Sequence, residues 1–287
     1  IIIGNIIYLN ANRKESEALF IGAIPDQNPE KLNRLYGLLA EELSDKLSVN
    51  VKYKPVTNYP AAVTAFRTGD LDLVWFGGLT GVQARLQKPG SVVIAQRDLD
   101  SKFTSVFVAN KKAEIEPFSD QKDLVKLKGK GFTFGSESST SGRLMPQYYM
   151  SQVGVEIDNF KGSKAGFSGS HDATIAMVQS GSYDAGVLNE QVWKQNKERG
   201  LINPLKIILI WRTPTYNDYH WLAQGYLDSK FRNGFTQEIK NTLLGLNEKN
   251  DKQRKILNLF GAEKFIESDA SQYKEIEAIG RKLGKIN

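Results

Sequence analysis

From Leu19 onward the chain alternates short apolar runs with stretches of helical period. Leu19-Phe-Ile-Gly-Ala-Ile24 reads as a buried strand, stopped by Pro25-Asp-Gln-Asn28. Asn28 followed by Pro29 and Glu30 is a helix start, with a cap, a proline in the first turn and an early acid. Leu32, Leu35, Tyr36, Leu39 and Leu43 then recur on one helical face. A strand is predicted over Val49–Val56, a helix over Tyr59–Thr68, a strand over Leu71–Phe76, a helix over Leu79–Leu86 and a strand over Val92–Gln96. The second half continues the alternation, with a strand at Phe132–Phe134, helices over Ser141–Val153 and Ala173–Ser180, and strands over Tyr183–Leu188 and Ile207–Trp211. After Asp228 the period is helical almost to the end, with Phe231, Phe235, Ile239, Leu243 and Leu246 on one stripe. Strand–helix alternation of this kind predicts parallel βαβ units in an α/β protein of two lobes with a helical C-terminal tail.

The first residues stand apart. Ile1–Leu9 is an apolar run too short to span a bilayer and of a length that suits the end of an export signal; an extra strand is the competing reading. Residues 1–18 are therefore expected to be residual signal or an N-terminal extension. The chain has 287 residues, 40% hydrophobic and 24% charged, and no cysteine. Disulfide scaffolds, thiolate metal sites and cysteine nucleophiles are excluded, and two histidines are too few for a three-histidine zinc site. With 38 Lys and Arg against 32 Asp and Glu the net charge is +6. No RNP-like motif, zinc finger or separate basic tail accompanies that charge, so nucleic acid is not an expected partner. It reads as a solvated lysine-rich surface with a mild attraction for small anions.

Chemistry concentrates in Gly135-Ser-Glu-Ser-Ser-Thr-Ser-Gly142, between a strand and a helix. Ser139, Thr140 and Ser141 bring three hydroxyls to a helix N-terminus, where free N–H groups and the macrodipole already favour an anion. A cap needs only one of them. Gly135 and Gly142 would let backbone approach a ligand. The segment is neither a P-loop nor a Gly-x-Ser-x-Gly elbow. Ser119-Asp-Gln-Lys122 matches Ser-x-x-Lys without the companion motifs, and a triad of Ser141, His171 and Asp218 has no sequence feature that brings its members together. His171, in Gly169-Ser-His-Asp-Ala-Thr174, is either a donor to an oxyanion or a capping histidine. Trp211–Trp221 is an aromatic-rich crossover that carries Asp218.

In order, Ile24-Pro-Asp26, Tyr59-Pro60, Asp72-Leu-Val-Trp-Phe-Gly77, Ser139–Gly142, Ser170-His171 and Trp211–Asp218 resemble the periplasmic substrate-binding proteins of phosphonate and phosphite ABC importers. The resemblance runs from about Ile21 to the final helices. It implies a two-lobed, type II periplasmic-binding-protein fold, each lobe a mixed sheet flanked by helices, joined by two crossing strands. The lobes would comprise residues 19–107 with 221–287, and 108–220. It further implies a non-catalytic, exported, monomeric protein that hands a small phosphorus oxyanion to a membrane permease without a cofactor or metal. By the same resemblance Ser139, Thr140 and Ser141 would hold the P–O oxygens with His171 as a further donor. Asp218 would accept from a protonated oxygen, Tyr59 would reach in from the first lobe, and Trp75, Phe76 and Phe103 would wall the pocket.

Aminoethylphosphonate binders of the family carry a carboxylate for the ligand's amine shortly after the Asp-Ala strand; here that place holds Gln191, beside Glu190. Phe76-Gly77 replaces the Tyr-Gly of some members, and Gln96–Asp100 looks more like phosphite binders. The expected ligand is phosphite first and methylphosphonate close behind. The competing readings are a receptor for larger phosphonates, a hydrolase of phosphoesters, and the sensing domain of a signalling protein.

Overall fold

A computed structural model describes residues 18–287; the expectation for the first residues concerns positions that, up to 17, lie outside the described part. Among the described residues eleven strands form two sheets. They are β1 (Leu19–Ala23), β2 (Val51–Tyr53), β3 (Leu73–Phe76), β4 (Val92–Arg97), β5 (Ser105–Asn110), β6 (Phe132–Phe134), β7 (Gly166–Phe167), β8 (Ala185–Asn189), β9 (Ile207–Arg212), β10 (His220–Ala223) and β11 (Phe265–Glu267). The first sheet has the order β11-β4-β10-β3-β1-β2 and the second β7-β6-β8-β5-β9. Both are mixed. In the first, β1 pairs in parallel with β2 and β3, while β10 runs antiparallel to β3 and β4. In the second, β6 is parallel to β7 and β8, and β5 is antiparallel to β8 and β9. The parallel βαβ expectation thus holds among β1–β3 and among β6–β8, and fails at the strands that flank the crossings and at β11, which is antiparallel to β4.

Ten α-helices among the described residues cover the sheets: α1 (Pro29–Leu47), α2 (Tyr59–Thr68), α3 (Gly78–Gln87), α4 (Met145–Ser151), α5 (His171–Ser180), α6 (Glu190–Glu198), α7 (Leu227–Lys230), α8 (Phe235–Leu244), α9 (Asp251–Phe260) and α10 (Lys274–Lys282). The start of α1 is as the sequence signals: the Asn28 side chain accepts from the N–H groups of Glu30 and Lys31, and Leu32, Leu35, Tyr36, Leu39 and Leu43 are buried. β1 and β3 are apolar on both faces because helices cover both sides of the first sheet. In the second sheet alternation divides the packing. Phe107, Phe132 and Trp211 share one face, whereas Val106, Val108 and Leu188 meet Ile175, Val178 and Val192 of α5 and α6 on the other.

Two segments cross between the lobes, Asp98–Thr104 from β4 to β5 and Thr213–Tyr219 from β9 to β10. They are bonded to each other. Phe103 N–H donates to Tyr216 O (2.8 Å), Tyr216 N–H to Phe103 O (2.9 Å) and Asp218 N–H to Asp100 O (3.1 Å). Arg97 locks the first crossing, its guanidinium donating to both carboxylate oxygens of Asp100 (2.7 and 2.6 Å) and to Phe260 O (2.7 Å). The boundary expected between 107 and 108 falls inside β5, which pairs wholly within the second sheet. The one expected between 220 and 221 falls inside β10, which pairs wholly within the first. Hydrophobic pattern alone does not reveal which sheet takes an apolar strand.

Candidate functional site

The cleft is built from the ends of elements. Tyr59 opens α2 after Asn58, whose side chain accepts from Ala61 N–H (2.8 Å). Its hydroxyl is buried beside Ser139 and has no well-formed hydrogen bond. Burial pushes the phenol well above its ordinary pKa, and the charge of Asp26 adds to that. From the second lobe comes the turn after β6. Ser139 caps it, its Oγ accepting from Gly142 N–H at 2.9 Å, and the chain then runs as a single π-helical turn over Thr140–Leu144 before α4. The helix expected to start at Ser141 therefore starts one residue earlier and wider. Ser105 Oγ donates to Ser141 O (2.7 Å) and fixes the turn against β5. Ser141 Oγ is buried without a partner.

The two glycines of this segment serve a different approach from the one expected. A Cβ on Gly142 would lie 3.0 Å from Ser139 Oγ, 3.2 Å from Gly135 Cα and 3.2 Å from His171 Cε1. Their missing side chains let the turn and the imidazole close on each other.

Asp218, on the second crossing, is fully buried. Its Oδ1 accepts from Gly78 N–H, the first residue of α3, at 2.9 Å, and its Oδ2 has no partner. Burial raises its pKa to about 7; the Gly78 N–H opposes this, the charge of Asp100 reinforces it, and the Thr140 hydroxyl and Arg97 oppose it. The acid sits between its two protonation states at neutral pH.

His171 opens α5 and is fully buried. Burial depresses its pKa to about 4, so the ring is neutral. Tyr219 Oη donates to Asp26 Oδ2 (2.9 Å) and accepts from Asn189 Nδ2 (3.1 Å), which makes His171 Nε2, 3.2 Å away, the donor toward Tyr219. Asn189 N–H approaches Nδ1 at 3.4 Å. Both ring contacts are longer than the usual 2.9–3.0 Å or so, which leaves Nε2–H free to turn to another oxygen. Asp26 is itself buried, and burial lifts it to about 6 against the Tyr219 hydrogen bond.

The aromatic residues divide. Trp75 stacks on Tyr219 (5.7 Å between centroids, 17°), and Phe103 packs against Tyr216 and Tyr219. Phe76, one position along β3, faces the other way and packs edge-on against Phe66 of α2. Strand alternation denies Trp75 and Phe76 a common wall, so Phe76 belongs to the core of the first lobe. Asp26, Asn189, Tyr219 and Gly77 were not expected as site residues. Asp26 and Tyr219 stand inside or next to the segments that carried the resemblance, but no spacing rule pairs residues 193 positions apart.

Glu190 is committed elsewhere. Arg212 donates to both its oxygens (2.9 and 2.8 Å), Lys194 lies 3.1 Å away and Thr104 Oγ1 also donates to it. Gln191 lies against Gly261 of the first lobe. Among the described residues no group of three His, Asp or Glu side chains is placed to hold a metal ion, and no helix is long and apolar enough to cross a membrane.

Two mixed sheets, two mutually bonded crossing segments and a buried polar site between the lobes define a two-lobed, type II periplasmic binding protein. Residues 21–273 match the family model described as ABC transporter, phosphonate, periplasmic substrate-binding protein, and the chain belongs to that family. It is 58% identical over 270 residues to the probable ABC transporter phosphite binding protein PhnD1 of Prochlorococcus marinus (strain MIT 9301), covering 94% of this chain and 91% of the relative. The structure of that PhnD1 in complex with methylphosphonate superposes with a TM-score of 0.92 over 94% of this chain and 99% of that one. The phosphonates-binding periplasmic protein of Escherichia coli (strain K12) is 24% identical over 205 residues, 70% of this chain and 59% of the relative. The family is one of binding proteins, so the chain is a substrate-binding component of an ABC importer and not an enzyme.

Proposed function

We propose that the protein captures a small phosphorus oxyanion, phosphite first and methylphosphonate close behind, and delivers it to its permease. The observation that carries this reading is the pairing of unpartnered buried donors, Ser141 Oγ and Tyr59 Oη, with an unpartnered buried acceptor, Asp218 Oδ2. Ser139 and Thr140 already accept backbone N–H groups, so each has a polarised hydroxyl proton left to donate. His171 adds Nε2–H by turning from Tyr219. Several neutral donors and one carboxylate suit a tetrahedral anion that keeps one proton, because that proton is what Asp218 accepts. Trp75 and Phe103 back the site through Tyr219.

The commitment of Glu190 to Arg212 takes the carboxylate beside Gln191 away from any ligand amine and favours a hydrogen or methyl substituent. The methylphosphonate complex of the Prochlorococcus PhnD1 supports the same size class. The lobes, one per sheet, close about segments 98–104 and 213–219. The apolar residues Ile1–Leu9 suit an export signal or a membrane contact, which membrane fractionation with and without them would test. Calorimetric titration with phosphite, methylphosphonate, 2-aminoethylphosphonate and phosphate tests the ligand. Phosphite should bind most tightly, and tighter binding of aminoethylphosphonate overturns the assignment.

A further inference from the structure

Two helices point their N-termini into the cleft, and neither is completed by its own lobe. α3 begins at glycines, with no side-chain cap on Gly77. Its first N–H, from Gly78, goes to Asp218 of the crossing segment, and its second, from Leu79, goes to Thr140 Oγ1 of the second lobe at 2.9 Å. α5 has Ser170 as its own cap for Ala173 N–H. Its first N–H, from His171, nevertheless goes to the carbonyl of Asp26 in the first lobe at 2.9 Å. Asp172 of the same turn accepts Asn28 N–H at 2.7 Å. The first N–H groups of a helix have no partner within it, so each lobe supplies what the other's helix lacks.

We infer that closure is completed by this reciprocal capping, with Thr140 the positioning residue that seals α3 across the cleft and Gly77 kept bare so that it can. The inference rests on the reading of the cleft as one that closes around a ligand. Gly77 has φ −74° and ψ 164°, a conformation any residue adopts, so its backbone does not demand glycine. Space does. A Cβ there would lie 3.1 Å from Thr140 Oγ1 and 3.3 Å from Asp218 Oδ1, while the nearest atom of its own lobe, Ile24 Cδ1, stands at an ordinary 3.5 Å. Gly77→Ala therefore presses on the opposing lobe and the crossing segment, not on the fold that carries it.

The test is amide hydrogen exchange at Leu79 and His171, with and without methylphosphonate, together with stopped-flow rates for that ligand. Thr140→Val should speed exchange of Leu79 about tenfold, the scale of one hydrogen bond, and ligand dissociation by at least as much, since the same hydroxyl also faces the ligand. Thr140→Ser, which keeps the oxygen, should restore both. Gly77→Ala should act in the same direction as Thr140→Val although every hydroxyl remains. Equal Leu79 exchange in wild type and Thr140→Val, in both conditions, overturns the inference. If the wild type binds none of the four anions, the ligand assignment falls, while slower Leu79 exchange in the ligand-free wild type than in Thr140→Val still shows that Thr140 caps α3.

Discussion

Two aspartates sit on the two crossing segments and are tied backbone to backbone, yet they have opposite surroundings. Asp100 receives two side-chain hydrogen bonds from Arg97 and the Arg97 N–H at 3.0 Å. Asp218, equally buried, receives one N–H and keeps an oxygen without a partner. Burial raises the pKa of both, and Arg97 opposes it at Asp100 far more directly. Burial of an acid is therefore not what separates a hinge from a binding site. The difference lies in whether the fold supplies every partner or leaves one to be supplied from outside.

The comparison can be broken at either end. Arg97→Ala leaves Asp100 buried and unpaired, and should cost about 3–5 kcal/mol of stability in chemical denaturation, the largest effect expected here. Asp218→Asn should instead leave the fold intact and weaken binding of phosphite by about 1.5–3 kcal/mol in calorimetry. If both variants lose stability alike, the distinction between hinge and site fails. Ser141→Ala should cost about 1 kcal/mol of affinity, and no loss there would remove the turn from the site.

Melting temperature against pH sharpens the contrast. An acid whose folded pKa is raised favours the fold below its unfolded value, near 3.8, and that contribution is lost as pH climbs through the folded value, about 7 for Asp218. The ligand-free Asp218→Asn variant should thus gain on wild type between about pH 4 and 7 and hold a constant margin above. The depressed histidines, His171 and His220, act in the opposite direction in both proteins and cancel in the difference. The smallest effect concerns Glu190→Gln, which should change phosphite affinity by less than about 0.5 kcal/mol, since its carboxylate points to Arg212.

Much of this was legible from residue order. The cap at Asn28 and the helix Tyr59–Thr68 follow from local rules and are where those rules put them, and the hydroxyl cluster at 139–141 opens a helical segment one residue earlier than expected. What escaped was short or distant. β7, β10 and β11 have two to four residues, too few for a period to register, and β5 has six buried residues with no alternation to mark it. Phe76 was expected in the pocket wall by resemblance, and the run of four buried residues in β3 hides the alternation that turns it away from Trp75. The Asp26–Tyr219–His171 contacts join a loop of one lobe, a crossing segment and a helix of the other, and only the tertiary fold reveals them.

Trp75 lies face to face with Tyr219, the residue that the second lobe grips through His171 and Asn189. Any swing of that lobe alters the surroundings of this indole. The chain thereby carries an intrinsic fluorophore beside the segments that join its two lobes. With no native cysteine to interfere with a second dye, it is suited to conversion into a reagentless optical sensor for dissolved phosphorus anions.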